Sequence, residues 1–245
     1  MTAEFRKKAR SLLLLDIETV CSPGTYHELP ERLQSLWDKK AASLIRKEDQ
    51  GASPADLFYE KGAIYAEFGK VVCIAFGAFF WNEKEEISYK VRSFQGHDEA
   101  VLLQEFKALI EKYAPEELIL CAHNGKEFDF PYLCRRMLIN DISIPKALQI
   151  AGKKPWEVHH QDTMELWKFG DYKSYTSLDL LAAVFDIPGS KVEMSGDQVS
   201  NVYYQEKGLE KISRYCREDV VVLGQIYLRL HNMPLVLPSN ISRHD

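Results

Sequence analysis

The sequence lacks the features that mark secreted, membrane-spanning and zinc-binding proteins. Its cysteines are 5, an odd number, with no C-x-x-C pair among them, so neither a disulfide framework nor a zinc site is indicated. No apolar stretch approaches the roughly 20 residues that span a bilayer, and the run Leu12 to Leu15 is too short for a signal peptide. We therefore expect a soluble, cytoplasmic protein with reduced cysteines and no membrane partner.

A net positive charge is also missing. The formal charge of -5 at pH 7 argues against a protein that coats duplex nucleic acid by bulk electrostatics. This charge does not exclude an enzyme that binds a few nucleotides through metal ions. Repeats and low-complexity segments are absent too, and 46% hydrophobic content in 245 residues predicts a chain that folds alone around a packed core.

What the sequence does contain is an alternation of strand and helix patterns, which indicates an α/β fold. The apolar run in LLLLDIETV predicts a buried first strand that ends near Val20. KVVCIAFGAFFW and the alternating segment with Ile87 and Tyr89 predict a meander, and LILCAH predicts a later buried strand. Helical periodicity covers 97–113, 131–139, 178–185 and 210–230.

This pattern predicts one domain over residues 1–230. Residues 28–68 are charged and helix-compatible, so we expect a helical insertion between the first two strands. The last segment, 231–245, is predicted to be a loosely docked or disordered tail.

The first acidic signal is the pair Asp16 and Glu18, which follows the four leucines. Residues two apart on a strand point to the same face. Two like charges held together repel each other unless something positive lies between them, and a divalent metal ion is the usual solution. The alternative is a solvated strand end, because about one Asp-x-Glu is expected by chance in such a chain.

The second signal is HNGKEFDFPYL, in which the strand breaks at Asn124 and Gly125. Asn-Gly favours a turn whether or not it contacts a ligand. Asp129 stands just before Pro131, and it could serve only as the N-cap of the following helix.

The third signal lies on the last predicted helix, where Tyr215 and Asp219 are four residues apart and share a face. An acid beside the buried stripe of a helix is costly unless it is paired or bound to a metal ion. The alternative is an ion pair at the helix edge with Arg135, Arg136 or Arg217.

In this order the residues resemble the three exonuclease motifs of the DEDD superfamily. The set is Asp16 and Glu18, then Asn124 with Phe128 and Asp129, then Tyr215 and Asp219. The phrases EFGKVVCIAFG, HQDTMELWKFGDY, YTSLDLLAAVFDIPGSK and YCREDV are similar to predicted 3′-5′ exonucleases related to the proofreading domain of family-B DNA polymerases. The likeness covers about residues 12–230. The histidine subclass would place His five residues before the last Asp, where Arg214 stands, so the resemblance is to the tyrosine subclass.

The resemblance implies a ribonuclease H-like mixed sheet flanked by helices, and hydrolysis with two divalent cations. Asp16 would bridge the two ions, Glu18 and Asp219 would complete the site of the water-bearing ion, and Asp129 would hold the second. Hard carboxylate oxygens suit Mg²⁺ or Mn²⁺, and the absence of a Cys/His cluster argues against zinc as the native ion. Tyr215 would orient the attacking water, because a phenol with a pKa near 10 is mostly protonated at neutral pH.

Substrate contacts are less sharply indicated. The family contacts the terminal nucleotide where Asn124 and Phe128 lie, although Phe128 is as well explained as plain core. Lys191 is a candidate phosphate contact, with Arg214, Arg217, Arg135 and Arg136, and solvated surface is the default for each.

Three further polar residues lie in the segment EVHHQD. Asp162 could be another site carboxylate, but a strand-end acid that faces water is the preferred interpretation. His159 and His160 cannot both approach a metal ion easily, since neighbouring strand residues face opposite sides.

The predicted substrate is the 3′ end of single-stranded DNA, because the likeness is to a polymerase proofreading domain. RNA stays open as a substrate, because no feature is committed to sensing a 2′-hydroxyl. The alternatives are therefore a 3′-5′ exoribonuclease, a non-catalytic exonuclease-like domain that binds nucleic acid or a polymerase, and a generic α/β protein in which every acid is structural.

Overall fold

A computed structural model of the protein describes residues 3–48, 51–83, 85–154, 157–171, 175–189 and 194–244. Within these ranges the chain forms a mixed sheet of six strands that is flanked by helices, and the predicted α/β class is confirmed. In chain order the elements are α1 (Ala3–Arg10), β1 (Leu12–Cys21), α2 (Glu31–Glu48), α3 (Pro54–Lys61), β2 (Gly69–Trp81), β3 (Ile87–Gln95), α4 (Glu99–Ile110), β4 (Ile119–Ala122), α5 (Asp129–Ile139), β5 (Gln161–Asp162), α6 (Thr163–Lys168), α7 (Leu178–Val184), α8 (Val199–Tyr204), α9 (Leu209–Leu230) and β6 (Ile241–His244).

The sheet has the strand order β5-β4-β1-β2-β3-β6. Strands β1, β2 and β3 form the expected antiparallel meander. On one side β4 runs parallel to β1 and β5 runs parallel to β4, and on the other side β6 runs parallel to β3. A strand in the middle of such a sheet is covered on both faces, which explains why Leu12 to Leu15 are all at most 2% exposed.

Strand β1 divides its side chains between two apolar layers. Leu12 and Leu14 belong to the layer that packs against α9, whereas Leu13, Leu15 and Ile17 belong to the layer that packs against α4 and α5. Side chains alternate along a strand, so the even-numbered acids that follow the leucines face α9. The register with β2 shifts between Glu18 and Thr19, and such a bulge bends the strand at that point.

The predicted helical insertion after the first strand is confirmed. Helices α2 and α3 lie between β1 and β2, and they have a small apolar cluster of their own that includes Trp37, Phe58 and Phe68. Cys21, the last residue of β1, also belongs to this cluster. The insertion is therefore anchored at the end of the strand that carries the two acids.

The expectation of a loosely docked tail after residue 230 is wrong. Strand β6 adds to the sheet beside β3, with Ile241 opposite Tyr89. Before it, Val236 is 1% exposed, and the Gln225 amide exchanges hydrogen bonds of 2.8 and 2.9 Å with the backbone of Val236. The error arose because the pairing partner, β3, is far away in the sequence, so local composition did not reveal it. Among the described residues, no helix combines the length and apolar character needed to cross a bilayer.

A buried ion pair holds α4, α5 and β2 together. Both oxygens of Glu99 accept from the Arg136 guanidinium, with Nε distances of 2.9 and 3.1 Å, and the Glu99 carboxylate also accepts the Val71 amide at 2.7 Å. A second guanidinium nitrogen of Arg136 donates to the Ala66 carbonyl at 2.8 Å. This network fixes the helix that begins at Asp129.

We expect Glu99→Ala to lower the free energy of unfolding by about 3 to 5 kcal/mol, because it leaves the buried Arg136 charge without its partner. Urea denaturation measures the difference. The control is Glu206→Ala, which breaks an exposed pair with Lys211 and should cost at most about 1 kcal/mol. Equal losses in the two variants would contradict the structural role of the buried pair.

Candidate active site

Two acids of β1 lie under helix α9. Asp16 stands opposite Ala75 of β2, and Glu18 stands opposite Cys73. Asp16 is partly exposed and Glu18 is 7% exposed. The predicted strand thus places the two carboxylates side by side on one face, at the edge of the apolar layer.

Helix α9 supplies the residues that face them. Tyr215 and Asp219 lie one turn apart, and the Tyr215 hydroxyl donates a hydrogen bond to the Asp219 carboxylate. Between them in the sequence, the Cys216 thiol donates to Asp16 Oδ2 at 3.4 Å and lies 3.4 Å from the Asp16 carbonyl oxygen. The helix face that packs on β1 therefore brings the third motif onto the first.

Asp129 is the first residue of α5, and Phe128 occupies the N-cap position before it. The alternative that Asp129 is only an N-cap is therefore wrong. Its side chain is 2% exposed, and its Oδ1 has no hydrogen-bond partner among the described residues. A buried carboxylate oxygen without a donor is costly, which makes it a candidate ligand for a cation.

The charges of Asp129 and Asp219 act on the two acids of β1. Burial raises the pKa of Asp16 well above its usual value, and repulsion from Asp129 and Asp219 raises it further. Burial likewise raises the pKa of Glu18, with repulsion from Asp16 and Asp219 added. Charges from α5 and α9 therefore act on the two acids of β1, and we call these four residues the acidic pocket.

The pKa values of Asp129 and Asp219 are raised to about 7, first of all by burial, with repulsion from Asp162 added at Asp129 and from Asp179 and Glu218 added at Asp219. The oxygen-rich donor set of the pocket, with an unpartnered carboxylate oxygen, fits a hard divalent cation. Asp16, Glu18 and Cys216 each offer a ligand atom, and these atoms lie within 4.8 Å of one another.

Two of the three arginines named as alternative partners of Asp219, Arg136 and Arg217, are engaged elsewhere. Arg136 pairs with Glu99. Arg217 donates to Ser93 at 2.9 Å and to Ser213 at 3.1 Å, and it pairs with Glu210 at 3.3 Å.

The loop between β4 and α5 is held by a buried acid. Asn124 adopts a positive φ of 63°, and a side chain at Gly125 would bring a Cβ within 2.3 Å of the Ala122 Cβ, so this turn needs both residues. The Asp162 carboxylate accepts the Asn124 amide at 2.9 Å and the Lys126 amide at 3.1 Å.

Asp162 also caps α6 through the Met164 amide at 2.9 Å. The side chain is 2% exposed, so the expectation of an acid that faces water is wrong. Its carboxylate is fully occupied by backbone donors, which makes it a support for the loop that carries Asn124 and Asp129.

The other predicted contacts fall in three groups. Phe128 is partly buried and packs against Tyr132, with ring centroids 5.3 Å apart, so it contributes to the core. His159 and His160 bond the carbonyl oxygens of Leu118 and Ala147 at 2.9 and 2.7 Å. Both imidazoles are therefore committed to the backbone. Lys191 lies outside the described residues.

Comparison with known proteins gives the family. Residues 64–240 match the predicted 3′-5′ exonucleases related to the exonuclease domain of PolB. The chain belongs to this family. It is an exonuclease-like domain related to polymerase proofreading, and the second and third groups of candidate site residues lie inside the matched range.

Archaeal DNA polymerases are similar to this exonuclease-like chain. A polymerase of Thermococcus kodakarensis is 24% identical over 228 residues, which cover 82% of this chain and 13% of the polymerase. One of Thermococcus sp. (strain GE8) is 27% identical over 140 residues, covering 52% and 8%. The family B DNA polymerase of Pyrobaculum calidifontis has the same fold in its matched part, with a TM-score of 0.54, 14% identity, and coverage of 89% of this chain and 24% of that one. The chain thus spans only a small part of the length of these polymerases.

The sequence does not predict two contacts of this exonuclease-like domain. Cys216 is a free, buried cysteine, as expected of reduced cysteines, but its contact with Asp16 Oδ2 is not predicted. The contacts of Asp162 are not predicted either, because its backbone partners lie 36 to 38 residues earlier in the chain. The signal for Cys216 was its helical position, whereas nothing local signalled the contacts of Asp162 with the turn.

We expect Asp162→Ala to lower the free energy of unfolding by at least about 2 kcal/mol, because buried backbone donors lose their acceptor. Amide exchange at Asn124 and Lys126 should accelerate more than exchange elsewhere in the sheet. The matched control is Asp98→Ala, which removes an exposed N-cap of α4 and should cost about 1 kcal/mol. Unchanged exchange at the two amides would rule out the proposed support.

A second prediction concerns the metal-free protein. A carboxyl with a folded pKa of about 7 and an unfolded value of about 4 stabilises the fold when it is protonated. That contribution is fully present below about pH 4 and is lost as the pH rises through about 7. Asp219→Asn cannot ionise and keeps an acceptor for Tyr215.

In a chelator, Asp219→Asn should therefore exceed the wild type in free energy of unfolding at pH 8, by on the order of 1 kcal/mol or more. The difference should shrink toward pH 5. Urea unfolding at several pH values measures it, with Asp186→Asn, an exposed acid, as the control that should show no such trend. A variant that is less stable than the wild type at pH 8 would contradict the prediction.

Proposed function

We propose that the chain is a metal-dependent 3′-5′ exonuclease of the DEDD tyrosine subclass that hydrolyses phosphodiester bonds from the 3′ end of single-stranded DNA. The observation that supports the proposal is that the charges of Asp129 and Asp219 act on both Asp16 and Glu18, the adjacent acids of β1. Such a pocket is unfavourable for a purely structural role, and it is suited to binding cations.

The proposed cofactors are two Mg²⁺ or Mn²⁺ ions. Asp16 would contact both ions, Glu18 and Asp219 would hold one, and Asp129 would hold the other through the oxygen that has no partner among the described residues. Bound there, such ions neutralise charge on the phosphate and lower the pKa of a coordinated water.

Tyr215 has a different task from the acids. Burial raises the pKa of its hydroxyl above the usual value, and repulsion from Asp219 and Glu18 adds to the effect. The phenol therefore stays protonated at neutral pH and cannot serve as a general base. Because its proton is donated to Asp219, its oxygen is left to accept a hydrogen bond from the attacking water and so to orient it.

The net charge of the chain and its similarity to DNA polymerases support the choice of substrate. A chain with a net charge of -5 is better suited to a short single strand in a cleft than to a long duplex. The relatives named above are DNA polymerases, which favours DNA. Asn124 is the proposed polar contact and Phe128 the proposed apolar contact for the terminal nucleotide, and Lys191 is the proposed phosphate contact.

The deciding experiment digests a 5′-labelled single strand with Mg²⁺, with Mn²⁺ or with chelator. A descending ladder that requires the metal is expected, and Asp16→Asn should abolish it because the residue common to both ions is lost. Asp186→Asn removes one exposed acid and should leave the ladder intact. Wild-type turnover by Asp16→Asn would overturn the assignment, and faster digestion of a matched RNA strand would identify an exoribonuclease.

Tyr215→Phe should lower kcat by up to about 10²-fold, because the water loses its orienting acceptor. KM should change little, since the phenol makes no proposed contact with the strand. Steady-state kinetics on a single-stranded oligonucleotide separates the two constants. Weaker binding with an unchanged kcat would mean that Tyr215 contacts the substrate instead.

A further inference from the structure

The thiol of Cys216 lies beside Asp16, one of the four acids of the acidic pocket. Cys216 is 0% exposed, and its Sγ lies 3.4 Å from Asp16 Oδ2. A cysteine beside a set of carboxylates changes which metal ions the set prefers. Thiolate is a soft ligand, whereas carboxylate oxygen is a hard one.

The spacing of these atoms suits one tetrahedral ion. Zinc binds sulfur at about 2.3 Å and carboxylate oxygen at about 2.0 Å, which places two neighbouring ligands roughly 3.5 Å apart. The observed separation of Sγ and Asp16 Oδ2 is 3.4 Å, and a carboxylate oxygen of Glu18 completes a set of three within 4.8 Å. The three atoms therefore need little movement to hold an ion between them.

A second observation points to a cation at the same place. Asp129 is 2% exposed, its Oδ1 has no partner among the described residues, and its charge acts directly on Asp16. Asp129 is therefore a buried, incompletely partnered carboxylate whose charge reaches the set of three. Asp16 is only partly buried, so an ion can enter from that side.

We propose that Cys216, with Asp16 and Glu18, forms a site for a thiophilic divalent cation such as Zn²⁺, and that this ion excludes the hard cations and inhibits the enzyme. On binding, the sulfur forms a bond to the ion and its proton passes to solvent, with no transfer of electrons. Mg²⁺ and Mn²⁺ prefer oxygen ligands, so they use the carboxylates without the thiol. The inhibition rests on the proposed function, but the binding of the ion does not.

The first test titrates Co²⁺ into the metal-free protein under a phosphine reductant and follows the thiolate-to-cobalt charge-transfer absorption. The wild type should develop this band with one Co²⁺ per chain. Cys216→Ser and Cys216→Ala should lack it while they still melt cooperatively. Cys134→Ser is the control, because that thiol lies on α5 and contacts the Leu148 carbonyl, and it should behave as the wild type does.

Two results would overturn the site. One is a wild type without the band, and the other is a band that survives in Cys216→Ser. If that surviving band disappears in Cys73→Ser, the ligand is the neighbouring thiol of β2, opposite Glu18, and the assignment to Cys216 is wrong.

The second test measures Mg²⁺-driven hydrolysis against added Zn²⁺. Loss of a direct ligand should raise the half-inhibitory Zn²⁺ concentration of Cys216→Ser at least about tenfold above that of the wild type. Equal values would overturn the inhibitory role. The two proposals can fail separately. A protein that shows the Co²⁺ band but hydrolyses no substrate contradicts only the nuclease function. A Mg²⁺-dependent nuclease that lacks the band contradicts only the thiophilic site.

Discussion

Repulsion among closely placed carboxylates is the constraint on which the rest of this structure depends. Asp16 and Glu18 lie beneath α9, and the charges of Asp129 and Asp219 act on them. Such an arrangement is unfavourable in the absence of a cation. It must therefore be held in place by stabilising interactions elsewhere, and the apolar layers on the two faces of β1 supply them.

Each part of the pocket is fixed by contacts outside it. Helix α9 packs across the meander and carries Tyr215 and Asp219, while the Glu99 and Arg136 pair ties α5, which begins at Asp129, to β2. Asp162 holds the preceding turn through its backbone amides. Rigid support of this kind keeps the four acids of the pocket in a fixed arrangement, as the proposed metal site requires.

The thiol of Cys216 adds a second chemical character to the same pocket. Carboxylates favour hard cations, whereas a thiol within 3.4 Å of Asp16 favours soft ones. The same packing of α9 on β1 that completes the acidic set therefore also sets which ions compete for it.

By itself the sequence determined the local elements: the buried strand that carries Asp16 and Glu18, the last helix with Tyr215 and Asp219 on one face, and the helical insertion. These follow from hydrophobic periodicity, which acts over a few residues. Only the tertiary structure decided the burial of Asp162, the pairing of β6 with β3 and the contact of Cys216 with Asp16. Those features join residues 36 to 200 positions apart, and such contacts depend on how the layers pack rather than on any local pattern.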